Sequence, residues 1–451
     1  MSNKPAFTRR EFMRSMAVVS TAATVPMFVH RSAMAFGEPA AQGLTSRPGF
    51  PDDRILVIVE LAGGNDGLNT VVPFGFGEYY DARPQLAIRK DQLLTLDKHA
   101  GIGLHSALKP IMGMIDDGCA AVIQGVGYPN PNRSHFASMD IWHTADPSGG
   151  KGLGWIGKAM DHALGASGAS GTDCICLGRE TPLAAQAHYI KPIAFENADL
   201  FRWAGADLHA SLSAEYDKIN RAGVLDESAA QQAARAEARM TRRGRARAEA
   251  TAQSAESQAS FLMRTALDAQ VASDRIRAAV SKGTQTNFPG GPLASQLRMV
   301  AAMIRAELPT NVYYTVLGGF DTHAGQAGRH QQLLTQFATG VSAFYKELKA
   351  IGQDHRVLTV AFSEFGRRVS QNASQGTDHG TAGPMFVFGP MIRPGLLGEH
   401  PSLTKLDAGD LIYTVDFRSI YAGILEGWFK IDSAQVLGKS FQPAQFLKRE
   451  A

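Results

Sequence analysis

Five stretches of the chain are near-continuous apolar runs, and helical periodicity fills the ground between several of them. Residues 54–64 read RILVIVELAGG, 119–127 CAAVIQGVG, 311–319 NVYYTVLGG, 356–362 RVLTVAF and 384–389 PMFVFG. Runs without apolar/polar alternation fit strands buried on both faces, as in a parallel sheet covered by helices. GPLASQLRMVAAMIRAEL (291–308) and HQQLLTQFATGVSAFYKELKAI (330–351) space their apolar residues as helices do. Strand and helix in alternation predict an α/β fold of three layers, a largely parallel central sheet with helices on both faces.

Two segments fall outside that pattern. Between Asp226 and Ser260 the only strongly apolar residue is Met240, set among Ala, Arg, Glu and Gln. Residues 205–285 therefore read as a solvated helical insertion, a lid or a surface for a partner. Its basic cluster RMTRRGRAR (239–247) has no interleaved aromatics and has Glu237 and Glu249 as neighbours, which fits a solvated face and gives no reason to expect nucleic acid. At the N-terminus, TRREFMR (8–14) precedes a mildly apolar stretch (16–29) and then AMA (33–35). A charged start, an apolar middle and an A-x-A end predict a signal peptide over 1–35. Arg9-Arg10 with Phe12 resembles the twin-arginine export signal. The expected organisation is signal (1–35), linker (36–53) and one domain (54–451) carrying the insertion. The expected location is the periplasm or the extracellular space, with the twin-arginine translocase as a partner during export.

The address changes how charge is read. The whole chain of 451 residues carries +3. Residues 1–35 hold Lys4, Arg9, Arg10, Arg14 and Arg31 against Glu11, so the remainder is close to −1. The basic balance belongs to the signal. No apolar run reaches the ~18 residues of a membrane span, so no stable span is expected. Cys119, Cys174 and Cys176 are too few and too odd in number for a disulfide framework and lack the partners of a zinc site; they read as mostly buried thiols.

Ligands of open α/β sheets bind outside the carboxyl ends of the strands. Asp66 follows the first run in GGNDGLN. Asn132, Arg133, Ser134 and His135 follow the second in YPNPNRSHF, Asp321 and His323 the third in GGFDTHAGQ, and Ser363 and Glu364 the fourth in FSEFGRR. Asp378 and His379, in GTDHGTAGP, stand before the fifth. Each piece alone has an ordinary alternative. GGNDGLN lacks dinucleotide and P-loop spacing and reads as a turn. Ser134 fits a helix N-cap as well as a nucleophile. Asp321 and His323 fit a capping Asp with a solvated His as well as two ligands of one metal, and His330 is a rival to His323. Arg367 and Arg368 fit an anion contact or a solvated helix end. Together, Asp, Glu and His without cysteine suit zinc, manganese or magnesium, and an arginine suits phosphoryl or sulfuryl oxygens.

GGNDGLNTVVP, YYDARPQLAI, LHSALKP, QGVGYPNPNRSHFASMDIWHTA, FDTHAGQ, SEFGRRVSQNASQGTDHGTAGPMFVFG and YTVDFRSIYAGILEGW together resemble the domain-of-unknown-function 1501 family across most of the chain after the signal. Twin-arginine signals are usual in that family. It is grouped with the alkaline phosphatase and sulfatase superfamily, so the resemblance implies an alkaline phosphatase-like fold. It also implies roles. Asp66 resembles the first metal aspartate and Ser134 the nucleophile, with Arg133 as anion contact. Asp321 and His323 resemble an Asp/His ligand pair, at a spacing of two where the superfamily usually has four. Ser363-Glu364 stands where Asp-His is frequent, with Glu364 a metal ligand and Ser363 a poor one, which points to one metal rather than two. His379 resembles the late His ligand, with Asp378 ligating, orienting it or capping the turn.

Two functions follow as expectations. One is an exported metal-dependent hydrolase acting on a small anionic phosphate or sulfate ester. The other is a non-catalytic envelope protein that keeps the fold and binds an envelope partner through the insertion. A weaker third is a sugar- or lipid-modifying enzyme on the same scaffold.

Overall fold

The computed structural model describes residues 50, 54–96, 101–148, 152–168, 171–201 and 271–448. The expected signal peptide, nearly all of the linker, and the basic cluster with most of the helical insertion lie outside these residues. The chain divides into two compact units, Met1–Phe36 with Asn197–Ala278, and Gly37–Glu196 with Ala279–Ala451. In the first, the described residues are a turn at 197–201 and helical residues 271–278. All that follows concerns the second.

Among the described residues, nine strands form its main sheet: β1 (Ile55–Ala62), β2 (Ala120–Gly127), β3 (Cys174–Leu177), β4 (Ile193–Ala194), β5 (Val312–Gly318), β6 (Val357–Phe362), β7 (Gly383–Phe388), β8 (Gly395–Leu397) and β9 (Val415–Asp416). Their order is β8-β2-β7-β6-β1-β5-β3-β4, with β9 extending the β8 edge of β2. All five apolar runs are strands, and β2 and β6 are buried along their whole length. This is why they lack alternation: helices cover both faces.

The sheet is mostly parallel. β7 alone runs against its neighbours, β2 on one side and β6 on the other. Its amino end therefore lies at the edge where β1, β2, β5 and β6 end. The expectation of a largely parallel sheet holds, and this one reversal decides where residues 378–379 go.

On one face, α2 (His135–Thr144), α3 (Trp155–Gly168) and α6 (Phe417–Ala422) pack over Leu56, Ile58, Val360, Phe362, Met385 and Val387. On the other, α1 (Lys109–Asp116), α4 (Pro292–Arg305) and α5 (Gln326–Ala350) pack together, and Phe337 of α5 meets Phe386 of β7 edge to face at 5.1 Å. The expected helix at 330–351 begins four residues earlier, at Gln326. Apolar periodicity misses this first turn because a polar network holds it. Gln326 donates to Asp66 and accepts from Thr322 (3.1 Å) and Thr377 (2.6 Å), all buried. Cys174 and Cys176 are buried free thiols of β3, and Cys119 is a half-buried one, so the cysteine expectation holds.

Candidate metal centre

Four connections deliver the site. The loop after β2 leads into α2, whose N-cap is Ser134 and whose first residue is His135. The loop after β5 carries Asp321 and His323, the loop after β6 carries Glu364, and the approach to β7 carries Asp378 and His379. The last of these is laid against the β6 loop as a short antiparallel pair. Arg367 bridges His379, Gly366 N donates to Thr381 O (2.7 Å), and Arg368 N donates to Asp378 O (3.0 Å). Glycine makes that approach feasible. A Cβ on Gly380 would lie 2.5 Å from the Arg367 carbonyl carbon, and one on Gly376 2.2 Å from that of His323.

Arg367 is buried and joins the loops. It donates to the carbonyls of Gly63, Gly64 (2.8 Å), Phe320 (3.0 Å) and Thr377 (2.9 Å), and to Asp321 Oδ1 (2.7 Å). Of its two expected uses, anion contact and solvated helix end, the structure shows neither. Partial burial works to raise the Asp321 pKa, but the neighbouring Arg367 and His379 outweigh it and hold the group at about 2. Asp321 is therefore a carboxylate at any ordinary pH.

Three imidazoles converge on that carboxylate. The Nε2 atoms of His323, His379 and His135 lie 3.0, 3.2 and 3.5 Å from Asp321 Oδ1. The opposite nitrogen of each ring faces an oxygen: His379 Nδ1 the Arg133 carbonyl (2.8 Å), His135 Nδ1 Glu364 Oε1 (2.7 Å), and His323 Nδ1 Asp378 Oδ1 (3.2 Å). Each ring thus lies between two acceptors; with its proton on Nδ1, each would turn an Nε2 lone pair towards Asp321. Burial also pushes the His379 pKa down, favouring the neutral ring. His323 and His379 bring their Nε2 atoms to 2.9 Å of each other, and His135 Nε2 is buried with no hydrogen-bond partner. Lone pairs facing one another around an anionic oxygen repel unless a cation or a proton sits among them. His135, Asp321 and His379 offer ligand atoms all within 4.8 Å of one another. An oxygen at the far ring nitrogen is the usual support of a metal-bound histidine.

The other expected site residues are placed as follows. Asp66 stands apart, fully buried and paired with Arg83 (2.6 Å), with Gln326 and the amides of Leu68 (3.2 Å) and Asn69 (3.3 Å) on its oxygens. Its lone pairs are engaged in holding the loop after β1, where a metal role had been expected. Glu364, expected as a ligand, is buried with its carboxylate on His135 Nδ1 (2.7 Å) and Gly63 N (2.9 Å), so it orients His135. Asp378 orients His323 rather than its neighbour His379, and also accepts from Asn372 (3.1 Å). His330 lies inside α5, bonded to Asn65 (3.0 Å), away from the cluster. Ser134 is exposed and its side chain makes no cap bond, which leaves the hydroxyl available.

Sequence reasoning set His135 at the second strand end without giving it a ligand role. Its partner Glu364 is 229 residues away, so no local spacing marks the pair. Asp410 was missed altogether. It is buried, takes Arg133 Nη2 on one oxygen and lies 3.4 Å from Arg368 Nε on the other. Both arginines remain partly exposed, at 43% and 37%.

Among solved structures, the chain resembles the lipoteichoic acid synthase LtaP from Listeria monocytogenes at TM-score 0.36 and 8% identity, over 82% of this chain and 73% of that one. It resembles Ps i-CgsB at TM-score 0.33 and 10% identity, over 88% and 73%. No curated protein sequence matches. The family described as "Protein of unknown function (DUF1501)" matches residues 53–438, and the chain belongs to that family.

Proposed function

We propose that the protein is an exported metal-dependent hydrolase of phosphate or sulfate esters. The observation that carries this reading is the convergence of three Nε2 atoms on Asp321 Oδ1, with every Nδ1 facing an oxygen. Three imidazoles and a carboxylate suit zinc, and a nitrogen-and-oxygen set also suits manganese. His135, Asp321, His323 and His379 would hold the ion, and Glu364, Asp378 and the Arg133 carbonyl would fix the rings. A divalent cation held there would supply Lewis acidity to an ester oxygen. Ser134, one residue before His135 and exposed, would attack or orient the ester. Arg133 neutralises the non-bridging oxygens, with Arg368 beside it on the same Asp410. One carboxylate between two guanidiniums leaves a net positive pair facing out, the charge a phosphoryl or sulfuryl group requires.

Membership of the alkaline phosphatase and sulfatase superfamily is supported by the mostly parallel sheet and by ligands gathered at its carboxyl edge. Export is supported by Arg9-Arg10 and the segment behind them. Among the described residues no helix is long and apolar enough to cross a membrane.

Elemental analysis of the purified chain tests the centre. We expect a divalent metal at one per chain, lost in His379→Ala and His135→Ala, with hydrolysis of members of a phosphate and sulfate ester panel that ends with the metal. Metal-free protein from metal-replete growth, inert on the whole panel after zinc or manganese is added, would sink the proposal.

A further inference from the structure

The reading above accounts for the acid end of an ester and leaves its alcohol end unassigned. A cleft adjoins the centre. Glu364, Phe365 and Thr381 line it, and these also belong to the surroundings of the histidines. The Phe365 ring lies 4.9 Å from both the His135 and the His379 rings. Tyr128, Trp142, Leu411, Ile412 and Tyr413 supply further wall.

The walls are apolar in a stronger sense than their composition, because several of their polar atoms are already engaged. Tyr128 Oη shares a hydrogen bond with Ser138 Oγ (2.7 Å) and accepts from Asn132 N (3.0 Å). Trp142 Nε1 donates to Glu364 O (2.8 Å), and Thr381 Oγ1 donates to Leu411 O (2.5 Å). The Glu364 carboxylate holds His135 and Gly63. Sugar hydroxyls entering here would find Asn130, Asp407 and the Tyr413 hydroxyl but little else to replace water, a cost that aromatic or aliphatic surface does not incur. Asp407, exposed and also lining the cleft, would repel a second anionic group.

We infer that this cleft binds an apolar organic group, aryl or alkyl, on the alcohol side of the substrate. The inference rests on the hydrolase reading and narrows it to esters of apolar alcohols, away from sugar phosphates. Ile412 is 47% exposed while lining the cleft, so it can be changed without opening the core.

The test uses 2-naphthol, followed by its fluorescence anisotropy on the full chain, with and without a chelator. We expect saturable binding in both states, weakened at least tenfold by Ile412→Asp and unchanged by Tyr189→Asp, an exposed aromatic that does not line the cleft. Glucose and glycerol should not compete. Naphthol binding indifferent to Ile412→Asp, or displaced by glucose, overturns the inference. Because naphthol carries no acid group and its binding needs no metal, the two readings fail separately. Intact naphthol binding without turnover of 2-naphthyl phosphate or 2-naphthyl sulfate counts against the hydrolase alone. Turnover with no preference for 2-naphthyl over glycerol phosphate counts against the cleft assignment alone.

Discussion

The candidate centre depends on side chains that would touch no substrate. Asp378 is exposed at the surface and its oxygen fixes His323. Asp378→Ala should therefore fold normally yet weaken metal affinity by about 10- to 100-fold, the range expected when an outer-shell partner of a histidine ligand is removed. Competition with a chromophoric chelator measures it, and an unchanged affinity would remove His323 from the ligand set. Asp410 gives the complementary case. Asp410→Asn keeps the shape but releases the charge that aligns Arg133 and Arg368. We expect KM for ester substrates to rise roughly tenfold while metal content stays the same. A fall in metal content instead would mean that Asp410 supports the ion and not the arginines.

Among the elements, β7 and its approach matter most. Gly376 presses against the His323 backbone, where a Cβ would lie 2.2 Å from the carbonyl carbon. Gly376→Ala should cost about 1–3 kcal/mol, as overpacking does, and lower the melting temperature by several degrees in calorimetry. How much of the fold the sequence discloses follows from the same elements. The five strands buried on both faces are legible because each is a near-continuous apolar run. β4, β8 and β9 are two or three residues long and carry no such signal. The direction of β7 is illegible for a different reason: apolar pattern records burial, not polarity of the chain. Within the site, Asp321, His323 and His379 stand out as polar residues at strand ends. The roles of His135 and Glu364, and of Asp66 in an internal ion pair, depend on partners far along the chain, which spacing does not encode.

For the whole molecule, stability should fall with acid in a defined window. Burial pushes the His330 pKa from 6.5 down to about 4. Below pH 6.5 the unfolded chain takes up this proton while the folded chain does not, so stability drops until pH reaches about 4, by roughly 3 kcal/mol. His330→Gln should flatten that part of a chemical-denaturation profile. Asp66 acts lower. Burial alone would raise its pKa, but Arg83 and Gln326 with His330 hold it below 3.8, so its contribution is present above that value and is lost as pH falls through the folded pKa. Because Asp66 and Arg83 are both fully buried, Asp66→Ala leaves a lone buried guanidinium and should cost about 3–5 kcal/mol. Urea titration at neutral pH checks it; a loss under 1 kcal/mol would show that Arg83 finds other partners.

The reversed strand has a consequence in time. β7 does not join an edge; it slots between β2 and β6, in the interior of the sheet. His135 is synthesised early, yet His379 reaches it only when that late segment is inserted. Until then the candidate ligands belong to unconnected loops, and a half-built intermediate would lack the cluster that the proposed ion needs. A captured cation would thus be a receipt for completed folding, carried by the protein itself.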